Sequence, residues 1–172
     1  MKSIEARLAS LEADLRAQRD HTEVSRIIAS YGPLVDTADR PERARLLALL
    51  WAEDGCYDIG GVGVYEGREA IALAFEAQHF SQVPEGVCHI MGLPLINVSG
   101  DAAEALNYSC VMRADGGGHF YPWRVSANRW LFERQAGRWL IRRRTNRLMT
   151  GDPGTLAMLR NIDAIMAPPP SG

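Results

Sequence analysis

AEALNYSCVMR, residues 103–113, alternates in a way that fixes its backbone: Leu106, Tyr108, Cys110 and Met112 fall on one side, and Asn107, Ser109, Val111 and Arg113 on the other. A period of two with one clearly apolar face is the mark of a β-strand, because successive side chains leave a pleated backbone in opposite directions. Working outward, Val87 to Val98, Trp123 to Glu133 and Arg138 to Leu148 read as further strands, separated by the turn-forming stretches SGD, ADGGG and RQAG. The second half of the chain is therefore a meander of long antiparallel strands.

The first half follows another period. Ile4, Leu8, Leu11 and Leu15 are spaced by alternating fours and threes, which predicts an amphipathic helix over residues 3–19 that docks on its own domain or on a neighbouring subunit, with a dimerising zipper as the minor alternative. Thr22 can cap a second helix carrying Val24, Ile27, Ile28, Tyr31, Leu34 and Val35 on one stripe. Gly32-Pro33 should kink it or end it early, since proline removes one backbone bond and clashes with the carbonyl four residues back. PERARLLALLWAED, with proline in its first turn, predicts a third helix, GCYDIGGVGVYEG a short hairpin, and Arg68 to about Phe80 a fourth helix. A short helix is expected around Thr155 to Met166, and the tail APPPSG should be loose. Helices first and a curved antiparallel sheet after them make an α+β domain, with the helices on one face of the sheet and a cavity between.

The totals fit such a domain. The chain has 172 residues, 47% hydrophobic and 23% charged, with a formal net charge of -2. That charge offers no basic field for nucleic acid, and no apolar run reaches the roughly 20 residues that span a bilayer. A cytoplasmic protein with no membrane partner is the expectation. Cys56, Cys88 and Cys110 contain no C-x-x-C spacing, and His21, His79, His89 and His119 have no metal-ligand spacing, so free thiols and no metal are expected; GGVGVYEG lies in a hairpin pattern and does not open a helix, so there is no phosphate-loop or dinucleotide fingerprint for a cofactor either.

VCHIMG, residues 87–92, sets His89 inside an apolar strand, where it is either a satisfied core residue or a base facing the cavity. A base needs a carboxylate on its other ring nitrogen, and Asp36 and Asp39 are the candidates by helix order. On an ideal helix Asp36 lies about 130° from the centre of the apolar stripe, so it reaches the cavity only if the backbone turns after Tyr31. Tyr31 is either core or a hydroxyl donor. In the run Arg142, Arg143, Arg144, alternation sends Arg142 and Arg144 to one face and Arg143 to the other. His119, Tyr121 and Trp123 follow a glycine-rich turn and are candidate contacts at a cavity rim, with Tyr57 in the hairpin.

The order Ile28-x-x-Tyr31-x-x-x-x-Asp36-x-x-Asp39, Leu50-Trp51-Ala52-Glu53-Asp54-Gly55, Tyr65-Glu66-Gly67, Cys88-His89 and Gly137-Arg138-Trp139 resembles the SnoaL-like branch of the nuclear transport factor 2-like superfamily. Within it the chain looks most like the group of scytalone dehydratase, hexachlorocyclohexane dehydrochlorinase and bile-acid 7α-dehydratase, which are cofactor-free lyases. The resemblance implies a cone-shaped, mostly antiparallel sheet wrapped on N-terminal helices. The resemblance covers about residues 20 to 150, so with the helices read above the chain divides into an amphipathic helix (1–20), a SnoaL-like domain (21–150) and a C-terminal short helix and tail (151–172). It implies a homo-oligomer, a trimer or alternatively a dimer, acting on a small hydrophobic cyclic molecule as a lyase or isomerase. His89 matches the catalytic histidine, Asp36 its partner, Tyr31 an active-site tyrosine and Arg144 a pocket arginine. Val111 stands where one relative has a further catalytic aspartate, so that relative's full acid-base set is not reproduced, and Val111 becomes a pocket contact. The alternatives are a protein of this fold that binds a hydrophobic ligand without turning it over, and an assembly subunit.

Overall fold

The computed structural model describes residues 3–79 and 85–166. The expected loose tail lies outside them. The N-terminal helices are one: α1 runs from Ile4 to Val35, with the Ser3 side chain accepting the Ala6 N–H at 3.2 Å. Nothing between Leu15 and Val24 breaks the helical pattern, and the Thr22 hydroxyl donates back to the Gln18 carbonyl (2.8 Å) instead of capping a new helix. Ile4, Leu8, Leu11 and Leu15 are 53–75% exposed, so their seam does not dock within this chain. The far end of α1 buries Val24, Ile28, Tyr31 and Val35.

Gly32 and Pro33 do different work from that expected. The helix continues two residues past Pro33, and the Asp36 N–H closes its last turn on the Gly32 carbonyl at 2.9 Å. Proline is tolerable so near the end because few bonds follow it. Gly32 is required for closeness: a Cβ there would overlap the backbone carbonyl oxygen of His89.

Helix α2 spans Pro41–Ala48 and stops there, so Trp51–Asp54, expected to be helical, instead begin strand β1 (Trp51–Ile59). Sheet pairing overrides helix propensity here: the Ile141 N–H donates to the Leu50 carbonyl at 2.8 Å, and β1 runs parallel to β7 (Arg138–Leu148). Strand β2 (Gly63–Glu66) completes the expected hairpin, and α3 covers Arg68–His79. The expected Val87–Val98 strand is two, β3 (Val87–Met91) and β4 (Leu95–Ser99), because Pro94 has no N–H to give the ladder and Gly92-Leu93-Pro94 bridges them. Both pair antiparallel with different halves of β5 (Ala102–Ala114), which pairs with β6 (Phe120–Gln135), and β6 with β7. The sheet order is β2-β1-β7-β6-β5-β3, with β4 beside β5. Two short helices follow, α4 (Pro153–Leu159) and α5 (Ile162–Met166).

The core lies between helices and sheet: Tyr31, Leu47, Ile71 and Phe75 from the helices pack with Trp51, Trp130, Phe132 and Ile141 from the strands. An ion pair ties the middle of α1 to the sheet, Asp20 meeting Arg134 at 2.6 Å and the Trp139 indole N–H at 3.2 Å. The apolar side of residues 105–113 is the outer one. Ala103, Ala105, Asn107, Ser109 and Val111 are buried on the inner side, while Tyr108 is exposed and Leu106 lines an outer groove of about 580 Å³ with Leu93, Leu95, Leu156 and Ile162.

Candidate active site

The end of α1 and the middle of β3 meet in a carboxylate–histidine pair. Asp36 is the C-terminal cap of the helix, and its carboxylate accepts the backbone N–H of His89 at 2.9 and 3.2 Å and faces the ring Nδ1 at 2.6 Å. The periodicity that pointed Asp36 away does not apply, because the residue is a cap that ends the helix and is not part of its stripe. An ionised carboxylate can only accept, so in the neutral imidazole Nδ1 carries the ring proton and the basic lone pair is on Nε2. The pair is mostly buried, with side chains 11% and 21% exposed, and His89 lines a cavity.

Opposite it, strand register builds a second feature. Ala105, Trp130, Arg144 and Tyr57 are successive partners across β5, β6, β7 and β1. That row places the Arg144 guanidinium 4.3 Å from the Trp130 ring centroid and 4.9 Å from Tyr57, with Tyr31 from α1 closing over it at 3.9 Å. Arg144 is inward because of a bulge: Leu131 pairs with Arg143 but Phe132 pairs with Ile141, leaving Arg142 as an extra residue. The expected sharing of a face by Arg142 and Arg144 is thereby undone. Arg142 is exposed beside Asp54 (2.9 Å), and Arg143 reaches Asp58 on the outer side.

The next row, Asn107, Asn128 and Asn146, makes a relay of buried amides. Arg144 Nε and Nη2 donate to Asn128 Oδ1 at 3.2 and 2.8 Å, and Asn146 Nδ2 donates to the same oxygen at 2.9 Å. Arg124 donates to Asn146 Oδ1 (3.1 Å) and to the Gly60 carbonyl (2.7 Å). The Tyr31 and Tyr57 hydroxyls lie 3.0 Å apart. Burial pushes the Tyr31 phenol well above its ordinary value, with the Arg144 charge pulling the other way. Tyr31 is therefore a neutral hydroxyl that gives a hydrogen bond more readily than a proton.

The cavity between these features is about 80 Å³, and its walls bring together His89, Tyr31, Tyr57, Arg144, Val111 and Trp123 from the sequence-derived set. Trp123 is 47% exposed at the mouth, its ring 4.0 Å from the Arg113 guanidinium. His119 is not among the lining residues: its side chain is 83% exposed and its Nδ1 faces Asp115 at 3.1 Å. Arg124, Ser109, Ser126 and Asn146 also line the cavity and escaped the sequence reading. Their signal was present, since polar residues two apart recur on three neighbouring strands at Asn107/Ser109, Ser126/Asn128 and Arg144/Asn146. Among the described residues, no group of three or more His, Cys, Asp or Glu side chains is placed to hold a metal ion, and no helix is long and apolar enough to cross a membrane.

A curved sheet closed on one side by helices, with a mostly buried His–Asp pair at the wall of its cavity, defines the class as an α+β protein of the NTF2-like, cystatin-like fold. Residues 16–145 match the family model of the SnoaL-like domain, and the chain belongs to that family. An NTF2-like protein with a cystatin-like fold from Novosphingobium aromaticivorans is 40% identical, with 88% of this chain and 96% of that one covered at a TM-score of 0.82. Two more distant structures share the fold. One is Aln2 from a Streptomyces species, at 16% identity, TM-score 0.66, and coverage of 83% of this chain and 96% of that one. The other is a protein named as a candidate scytalone dehydratase from N. aromaticivorans, at 15% identity, TM-score 0.63, and coverage of 77% and 86%. No curated protein matches the chain.

Proposed function

We propose that the protein is a cofactor-independent lyase or isomerase acting on a small cyclic substrate by acid-base catalysis. The observation that supports this best is the 2.6 Å contact between Asp36 and His89 Nδ1 at the wall of a cavity. His89 Nε2 takes a proton from a carbon next to an electron-withdrawing group, and Asp36 stabilises the imidazolium that forms. In an elimination the C–H electron pair becomes the new double bond, and the leaving group departs with its own bonding pair. In an isomerisation the imidazolium returns the proton to another carbon. Tyr31, Tyr57 and Arg144 stand where negative charge would develop on a substrate oxygen, and donors aimed at such charge are a large part of catalysis. An engineered cavity of about 150 Å³ holds benzene. A space of about 80 Å³ therefore takes the reacting edge of a ring, with the body resting at the mouth against Ile59, Val62 and Trp123.

The test is exchange in D₂O of the α-protons of a panel of small cyclic ketones and β-hydroxy ketones, with loss of water followed by mass spectrometry. His89→Gln should lower the rate by at least about 10²-fold; unchanged turnover in that variant removes the mechanism. We also propose a homo-oligomer, trimer or dimer, supported by the exposed leucine seam of α1 and the outer groove; a monomer in sedimentation equilibrium overturns it.

A further inference from the structure

The charges on β6 and β7 are distributed unevenly. Arg129, Arg134, Arg142, Arg143 and Arg147 each have a carboxylate within 4.0 Å, supplied by Glu104, Asp20, Asp54 and Asp58. Arg144 and Arg124, on the same strands, face the cavity, and among the described residues no Asp or Glu lines it. Arg144 is 2% exposed. Its guanidinium cannot lose its proton at any ordinary pH, and a buried charge is costly unless it is paired. Two of its nitrogens are spent on one neutral amide oxygen, and among the described residues Nη1 is buried with no hydrogen-bond partner. The side chains that accept hydrogen bonds from the two guanidinium groups are Asn128 and Asn146, the uncharged counterparts of the aspartate that would neutralise them; beyond these, Arg144 has only the faces of Tyr31, Tyr57 and Trp130 among the described residues, and Arg124 the Gly60 carbonyl. Burial, and in addition the charge of Arg144, depress the pKa of Arg124, as two like charges in one pit must.

We infer that the cavity is built for an organic carboxylate, whose two oxygens meet Arg144 and Arg124 while its apolar body lies against Ile59, Val62 and Trp123. This rests on the cavity being the binding site of the proposed function, and it specifies that the small cyclic substrate carries a carboxylate. The pairing supplies a negative charge that no Asp or Glu among the described lining residues supplies, and a carboxylate accepts charge-assisted hydrogen bonds from both guanidinium groups. The volume suits one such group with the first atoms of its ring. One of the Tyr31 and Tyr57 hydroxyls donates to the other across 3.0 Å, which leaves the second hydroxyl proton for a bound oxygen, and His89 stands at the wall to act on a neighbouring carbon.

The experiment is calorimetric titration of the purified protein with benzoate, cyclohexanecarboxylate, benzamide and inorganic phosphate, repeated in Arg144→Gln, Arg124→Gln and His89→Gln. A carboxylate should bind at least about tenfold more tightly than benzamide, and each arginine variant should lose at least about tenfold for the carboxylate while benzamide changes little. Should Arg144→Gln fail to fold, Arg124→Gln carries the test, since Arg124 is only half-buried at the mouth. Equal affinity for benzoate and benzamide overturns the inference, as does undiminished benzoate binding in Arg124→Gln, or phosphate binding as tightly as benzoate. His89→Gln separates the two readings, because it should keep carboxylate binding while losing turnover. If the wild type turns over no compound yet binds carboxylates through the arginines, the catalytic proposal falls and this one stands.

Discussion

Asp36→Asn removes one charge and almost no volume, and its consequences can be worked through atom by atom. The carboxylate accepts from two groups of His89, the backbone N–H at 2.9 Å and Nδ1 at 2.6 Å. An asparagine has one accepting oxygen and a donating NH₂. If the oxygen keeps the backbone N–H, the NH₂ faces Nδ1, which must then accept, and the ring proton moves to Nε2. That is the atom that takes the substrate proton in the proposed mechanism, so on that proposal the base is lost while the fold remains. Bonds to a charged group contribute about 1.5–3 kcal/mol and neutral ones about 0.5–1.5. Two bonds each weakened by about 1 kcal/mol, with both side chains mostly buried, give a stability loss of about 1–2 kcal/mol. The rate should fall about 10²- to 10⁴-fold, the usual worth of a positioned base. Urea unfolding followed by tryptophan fluorescence measures the first, and D₂O exchange with cyclic ketones the second. Long-range ¹H–¹⁵N spectra of the histidine rings read the tautomer directly. A variant whose His89 still carries its proton on Nδ1, or which exchanges at the wild-type rate, refutes the reasoning.

Three further outcomes are expected. Asn128→Asp should supply Arg144 with an internal counter-charge, abolishing benzoate binding by titration while leaving the urea midpoint unchanged or raised; retained binding contradicts the charge argument. Gly32→Ala should destabilise by about 1–3 kcal/mol, because its methyl overlaps the His89 carbonyl and pushes β3 from α1; an unchanged midpoint would mean that the approach is looser than described. The Arg147 and Arg143 guanidinium groups hold Asp58 below its ordinary value of 3.8. A depressed folded-state value gives stability that is present above the unfolded value and lost as pH falls through the folded one. Asp58→Asn should therefore be less stable than wild type at pH 7, with the gap closing below about pH 3.8; a gap constant down to pH 2 refutes it.

The α+β class, the hairpin at residues 55–67 and the helix at 68–79 were legible because each rests on local periodicity. Boundaries set by distant partners were not. Trp51–Asp54 looks helical until β7 offers a parallel neighbour, and residues 87–98 look continuous until Pro94 meets the β5 ladder. At the site, the resemblance named Asp36, His89, Tyr31 and Arg144, whereas periodicity alone turned Asp36 outward. A periodic argument presumes that the helix continues, and this helix ends at Val35. Arg144 shows the same limit in a strand, where one bulge at Arg142 shifts every later residue to the opposite face.

The inner face of β5 carries the larger lesson. Choosing the core side of a strand by hydrophobicity selects Leu106, Tyr108, Cys110 and Met112, yet Asn107, Ser109 and Val111 face inward. The inversion follows from the charged groups beside the cavity. A sheet that must hold charge beside a cavity has to satisfy polar groups on its buried face, since an unpaired one there costs about 1–3 kcal/mol. The Asn107–Asn128–Asn146 row does this for Trp130, Arg144 and Arg124. Among the described residues Arg144 Nη1 alone is left over within that network, which is the observation the inferred carboxylate answers.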